Sequence, residues 1–172
     1  MSTLEDIKKR CNEQPPKLIL YEPFDPVPKI RRIYVEADLH KFIMGPWQSE
    51  RDENLSMDMQ IDLDRFVSGA AITVALQAKA KTKARNANLK RLYRKREVWE
   101  FRIRGSDPQQ RVFGRFAEWN RFVALFRDDR PGIDYDEASL RVSLEWGRLL
   151  SRNPFKEGRK ANDYVSEPVV SL

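Results

Sequence analysis

Apolar and polar positions recur along this chain with two different periods, and the changes of period mark out its elements. From Val98 to Arg104, Val98, Glu100, Arg102 and Arg104 alternate with Trp99, Phe101 and Ile103, the period-two pattern of a half-buried strand. Gly105 to Pro108 has turn chemistry. Arg111 to Ala117 predicts a second strand, Glu118-Trp119-Asn120 a tight connection, and Arg121 to Phe126 a third strand. Connections this short favour an antiparallel meander. Asp134 to Leu150 then predicts a helix, with Asp136 and Glu137 in its first turn and Leu140, Leu144 and Trp146 or Gly147 turned to the core.

The first half is less regular. Residues 2–13 fit a short amphipathic helix capped by Ser2 or Thr3. Prolines 15, 16, 23, 26 and 28 then predict an extended arm. Lys29 to Glu36 is rich in β-forming residues and predicts a strand. Asp38 to Met44 adds a helical turn, broken by Gly45-Pro46, with Trp47 anchoring the loop. Leu55, Met59, Leu63 and Phe66 or Val67 share one face of a helix over Asn54 to Val67, and Gly69 is a plausible stop. Ala70 to Leu76 fits either a buried strand or a helix. Lys79 to Arg96 fits one helix, or a loop followed by a helix. The resulting division is an N-terminal arm (1–29), an α+β domain (30–150) and a polar C-terminal tail (151–172). In that domain, N-terminal helices pack on a small antiparallel sheet that a C-terminal helix closes.

Composition narrows the function classes. With 172 residues, 41% of them hydrophobic, the chain can bury a proper core. No apolar run approaches the ~18 residues that span a bilayer, and the first residues lack the order of a secretory signal. A cytoplasmic protein with no membrane partner is the expectation. The lone Cys11 cannot form an internal disulfide, and no Cys/His cluster suggests a metal. The net charge of +6 is unevenly spread. Arg65 to Arg96 contains no acid but ten cations, directly after six acids between Glu50 and Asp64. One reading is a solvated helix face paired with its acidic neighbour. The other is a phosphate-binding footprint, for which Lys79, Lys81, Lys83, Arg85, Lys90, Arg91, Arg94, Lys95 and Arg96 are the candidates.

The segments Trp99-Glu-Phe-Arg-Ile-Arg104 and Arg111-Val-Phe-Gly-Arg-Phe116, followed by a hydrophobic strand, a basic loop and a closing helix, resemble the phage-derived HigB/RelE-like toxin superfamily. The resemblance covers about residues 88–150, and Gly114 stands where the pattern has an aromatic. It implies a RelE-like α+β fold and a ribosome-dependent mRNA endoribonuclease held in check by an antitoxin protein, acting on RNA without a cofactor. Carried over by position, the catalytic residues would be Arg102, Arg104 and Arg111, with Arg127 or Arg130 in the loop after the third strand and Tyr135 at the start of the last helix.

The chemistry of these residues is compatible with that role. Phosphodiester cleavage needs cations where negative charge accumulates and a group that moves a proton. Arg102 and Arg104 share a strand face, and a neighbouring strand could set Arg111 beside them. Guanidiniums so crowded repel one another unless an anion or carboxylate sits among them. The competing reading has Glu100 and Glu118 neutralise them as surface pairs. Trp99 and Trp146 lie on apolar faces and predict core. Trp119, in a turn, is the candidate for base stacking or a partner contact, with Tyr93 in a similar position. His40 is remote in sequence. The functional alternatives are therefore a toxin-like RNA-binding protein, with or without endoribonuclease activity, and a non-enzymatic module that contacts nucleic acid or an acidic partner protein through the basic sheet face.

Overall fold

A computed structural model describes residues 2–76, 87–93, 96–151 and 153–171. In chain order its main elements are α1 (Thr3–Cys11), β1 (Leu18–Leu20), β2 (Arg32–Glu36), α2 (Ala37–Met44), α3 (Glu50–Val67), β3 (Ile72–Ala75), β4 (Leu89–Tyr93), β5 (Val98–Ile103), β6 (Gln110–Glu118), β7 (Arg121–Asp129), α4 (Tyr135–Leu150) and β8 (Val169–Ser171). The chain is α+β. The expected meander β5-β6-β7 is present and antiparallel, but it is the centre of a wider mixed sheet. Among the described residues that sheet has eight strands in the order β1-β2-β7-β6-β5-β4-β3-β8. β2 pairs parallel with β7, and β3 pairs parallel with both β4 and β8.

A sheet this wide needs cover on both faces, and the apolar pattern divides accordingly. On one face Leu39 and Ile43 of α2 and Met59, Leu63 and Phe66 of α3 pack on Trp99, Phe101, Phe116 and Phe122. On the other, Ile7 of α1 and Val142, Trp146 and Leu149 of α4 pack on Val98, Phe113 and Val123. Strand β6 is therefore buried on both sides almost throughout. Gly114 follows from this crowding. A bulge lies between Phe113 and Gly114, and a Cβ at Gly114 would stand 2.0 Å from the Val123 carbonyl oxygen. An aromatic at that position has no room.

Helix ends are set by local polar groups. In α1 Ser2 Oγ accepts from Glu5 N–H at 3.3 Å while Ser2 N–H donates to the Glu5 carboxylate at 2.6 Å, a reciprocal cap. Helix α3 begins at Glu50, earlier than its apolar face suggests, because Ser49 Oγ accepts from Asp52 N–H. In α4 Asp134 Oδ1 accepts from Asp136 and Glu137 N–H at 2.9 and 3.1 Å.

Three expectations change in the folded chain. Leu140 and Leu144 point to solvent, 54% and 65% exposed, while Val142, Trp146, Leu149 and Leu150 face the core. Leu89 to Tyr93 is strand β4, not helix: Leu89 and Leu92 enter opposite cores because the sheet is covered on both faces. The helix expected over residues 2–13 is present as α1, while the proline-rich stretch read as an extended arm supplies the edge strand β1, and the last residues supply β8. The C-terminal segment is tied in by a buried cation. Arg31 donates to the carbonyl oxygens of Ala70 (2.9 Å) and Ser166 (2.8 Å). Ala70 to Leu76, open between strand and helix, is strand β3 over Ile72–Ala75. No helix among the described residues is long and apolar enough to cross a membrane.

Candidate nucleic-acid interface

The meander strands and the start of α4 bring several of the expected residues together. Glu100, on β5, is 0% exposed. Period two puts Arg102 on the same face, and the register sets Lys90 of β4 opposite Glu100 and Arg111 of β6 opposite Arg102. Arg102 embraces one carboxylate oxygen, Nε and Nη2 both reaching Glu100 Oε1 at 2.8 and 2.7 Å. Arg111 Nε lies 3.4 Å from Glu100 Oε2. The Tyr135 phenol lies near enough for the Arg111 guanidinium to pull its pKa down against burial, and Arg111 Nη1 donates to its own strand at Gln110 O (2.8 Å). Gln109 extends the network outwards. Its Oε1 accepts from Arg111 Nη2 at 3.4 Å and from Arg130 Nη1 at 3.0 Å.

Arg102, Arg111, Arg130 and Tyr135 thus form one connected cluster, with Lys90 at its edge. The carboxylate they share is Glu100, so the reading in which Glu100 neutralises the arginines is correct for Arg102 and Arg111. Glu118 takes no part; it pairs with Arg121 at 2.8 Å. Among the described residues, Glu100 is the carboxylate that both Arg102 and Arg111 reach. Burial pushes down the pKa of Arg111, with Glu100 opposing the shift and Arg102 and Arg130 adding to it. Burial likewise pushes down Lys90, again against the pull of Glu100. Tyr135 moves upwards, chiefly through burial and then through Glu100, so its phenol stays protonated well beyond neutral pH. Glu100 and Arg111 are buried, Lys90 and Arg102 half-buried, and Arg130 and Tyr135 exposed, so charge is weakly screened at the inner end of the cluster.

Other expected residues sit elsewhere. Arg104 lies past the end of β5, and its Nη2 donates to Ala87 O at 2.8 Å, turned towards Asp62 of α3. Arg91 is 5% exposed and faces the α3 side, away from the cluster. There it contacts Glu97 (3.1 Å), Gly158 O (2.9 Å) and the Tyr164 hydroxyl (2.9 Å) and lies over the Trp99 ring. It is a structural cation held within the fold by these three partners. Arg96 is exposed, lies over the Tyr93 ring at 5.9 Å and reaches Ser139 Oγ. Arg127 lies over Phe42 on the face opposite the cluster. Trp119 is 53% exposed, as its turn position predicts, with its indole N–H donating to Asn162 O at 3.1 Å; Trp99 and Trp146 are core. Lys79, Lys81, Lys83, Arg85, Arg94 and Lys95 lie outside the described residues. Sequence reasoning missed Gln109, the link between Arg111 and Arg130; a neutral residue after Pro108 carries no signal of that role. His40 sits on α2, away from the cluster. No protein-family model, curated protein or solved structure matches this chain.

Proposed function

We propose that this chain is a toxin-like RNA-binding protein that holds a phosphodiester backbone in the recess formed by Lys90, Arg102, Arg111, Arg130 and Tyr135. One observation carries this reading: Arg102 and Arg111 meet on the buried carboxylate of Glu100, with Lys90 opposite it in the register and Arg130 joined to Arg111 through Gln109. A phosphate oxygen entering there gains charge-assisted hydrogen bonds in a region of low dielectric. The basic, acid-free run through residues 65–96 adds long-range attraction.

The resemblance to HigB/RelE-like toxins extends this reading to cleavage. In that reaction the ribose 2′-oxygen attacks the adjacent phosphorus, the bond to the 5′-oxygen breaks, and a 2′,3′-cyclic phosphate and a 5′-hydroxyl result. Arg111 and Arg130 are suited to stabilise the charge that builds on the phosphoryl oxygens. The protonated Tyr135 phenol is suited to donate a hydrogen bond, not to remove the 2′ proton at neutral pH. Binding is therefore the function the geometry supports best, and cleavage the second reading, favoured by the Arg111–Tyr135 contact.

A labelled single-stranded RNA, titrated with the protein and then incubated with it and translating ribosomes, separates the outcomes. Saturable binding weakened by Arg111→Ala supports the proposal. Ribosome-dependent mRNA cuts that disappear in Arg111→Ala add the enzymatic reading. Binding without cuts leaves a non-enzymatic module, and absence of binding overturns the proposal.

A further inference from the structure

Strand β7 runs over nine residues, Arg121–Asp129, but its outer neighbour β2 pairs only with Arg121 to Ala124 before the chain turns into α2. Among the described residues, the far half of β7 therefore has β6 on one side and no strand on the other. Arg130 N–H donates to Gln109 O on the β6 side. Since successive residues of a strand direct their backbone groups to opposite sides, Arg127 and Asp129 direct theirs away from β6, to the open side. A hollow lies along this edge, bounded by α2, β7 and α4, and continues into a second one towards the loop before α4, with volumes of about 300 and 580 Å³. Phe42, Leu125, Phe126 and Ile133 give it an apolar lining. Carboxylates outnumber guanidiniums seven to three among its lining residues, and Glu137, Glu145 and Asp128 stand along its α4 side.

We propose that this edge is a docking site for an extended, basic peptide segment of a partner protein, which adds as a strand beside residues 125–129 of β7. An open edge offers backbone hydrogen bonds to any extended chain. The apolar floor selects alternate apolar side chains. The acidic walls select lysine or arginine at the intervening positions. They also disfavour pairing of β7 with β7 of a second copy, because that would bring two acidic grooves together. The five open residues match a peptide of about 17 Å at ~3.4 Å per residue. The site differs in chemistry from the neighbouring cation cluster, which attracts anions, and the proposal does not rest on the RNA reading.

The probe is an acetylated octapeptide of alternating lysine and valine, titrated into the 15N-labelled protein. Saturable shifts centred on the amides of residues 125–129, at least tenfold weaker binding to Glu137→Lys/Glu145→Lys, and loss of binding when alternate peptide nitrogens are methylated on the pairing edge support the proposal. Asp129→Pro removes an outward N–H without touching the β6 ladder and should weaken binding similarly. The double lysine variant, on the exposed side of α4, keeps the test alive if the proline variant fails to fold. No binding of the lysine peptide, equal binding of its glutamate analogue, equal binding of the methylated peptide, or shifts that instead follow protein self-association each overturn it.

Discussion

Arg111 Nε and Glu100 Oε2 lie 3.4 Å apart, both buried, yet neither atom has a hydrogen-bond partner. Arg102 takes the other carboxylate oxygen at near-ideal distances. The pair is thus held as charges in contact, without a directional bond, next to further cations. The terminal nitrogens of Arg111 donate to Gln110 O and Gln109 Oε1, so Nε is the part of this guanidinium that Glu100 leaves without a directional bond.

Glu100→Gln follows directly. Removing the one shared carboxylate leaves several cations facing one another in a dry recess. Loss of one partner of a buried pair costs roughly 3–5 kcal/mol. Thermal denaturation should show that loss, and added inorganic phosphate should recover more stability in the variant than in the wild type. Equal phosphate stabilisation of both would argue against an anion site at this cluster.

Gly114 gives a cleaner structural test. A methyl group there meets the Val123 carbonyl oxygen at 2.0 Å, a backbone atom at the bulge that cannot swing aside. Gly114→Ala should cost about 3 kcal/mol, at the upper end for overpacking, measured by urea denaturation. A near-neutral effect would mean that the bulge is not where it is described.

The two faces of α4 make a third comparison. Val142 is 0% exposed and Leu144 65%. Val142→Ala should lose on the order of 2 kcal/mol through the cavity it leaves, whereas Leu144→Ala should stay within about 0.5 kcal/mol. The reverse order would restore the helix face that the sequence alone suggests.

That reversal shows where the sequence was legible and where it was not. The period-two run from Val98 and the arginine-bearing strand after it locate the meander correctly, because alternation survives any tertiary context. In α4, Leu140 and Leu144 form an i, i+4 pair as convincing as Val142, Trp146 and Leu149, and only the position of the sheet distinguishes them. Strand β4 was hidden because its lysine, arginine and leucines are good helix formers, and burial on both faces erases the polar side that would reveal a strand. Of the candidate site, Arg102 and Arg111 could be placed on one face by period and pairing. Arg104 could not be separated from them, since the end of β5 depends on contacts made by α3 and the segment before β4. The role of Arg91 depends on Glu97 and Tyr164, the latter 73 residues away, a distance no local pattern reports.

Tyr164 also supplies a pH prediction. Its hydroxyl donates to Glu97 Oε2 at 2.7 Å, and burial followed by that carboxylate holds its pKa well above the ordinary value. A raised tyrosine pKa means the folded state keeps a proton that the unfolded state releases. The stabilisation is complete below pH ~10 and is lost as pH rises beyond it. The stability difference between wild type and Tyr164→Phe should therefore be constant from pH 6 to 9, then move against the wild type by up to about 1.4 kcal/mol per pH unit above 10. A difference that stays constant through pH 11 would contradict the buried hydrogen bond.

The central claim, an RNA backbone held at the Glu100-centred cation cluster, is tested most directly by the salt dependence of single-stranded RNA affinity in the wild type and in Arg130→Ala. Arg130 is exposed and bonded to Gln109, so its loss should leave stability within about 0.5 kcal/mol. Contacts to three or four phosphates predict a slope of log affinity against log salt of roughly −2 to −3 in the wild type, made shallower by about 0.7 in the variant. A flat wild-type slope, or one that Arg130→Ala leaves untouched, would contradict the claim.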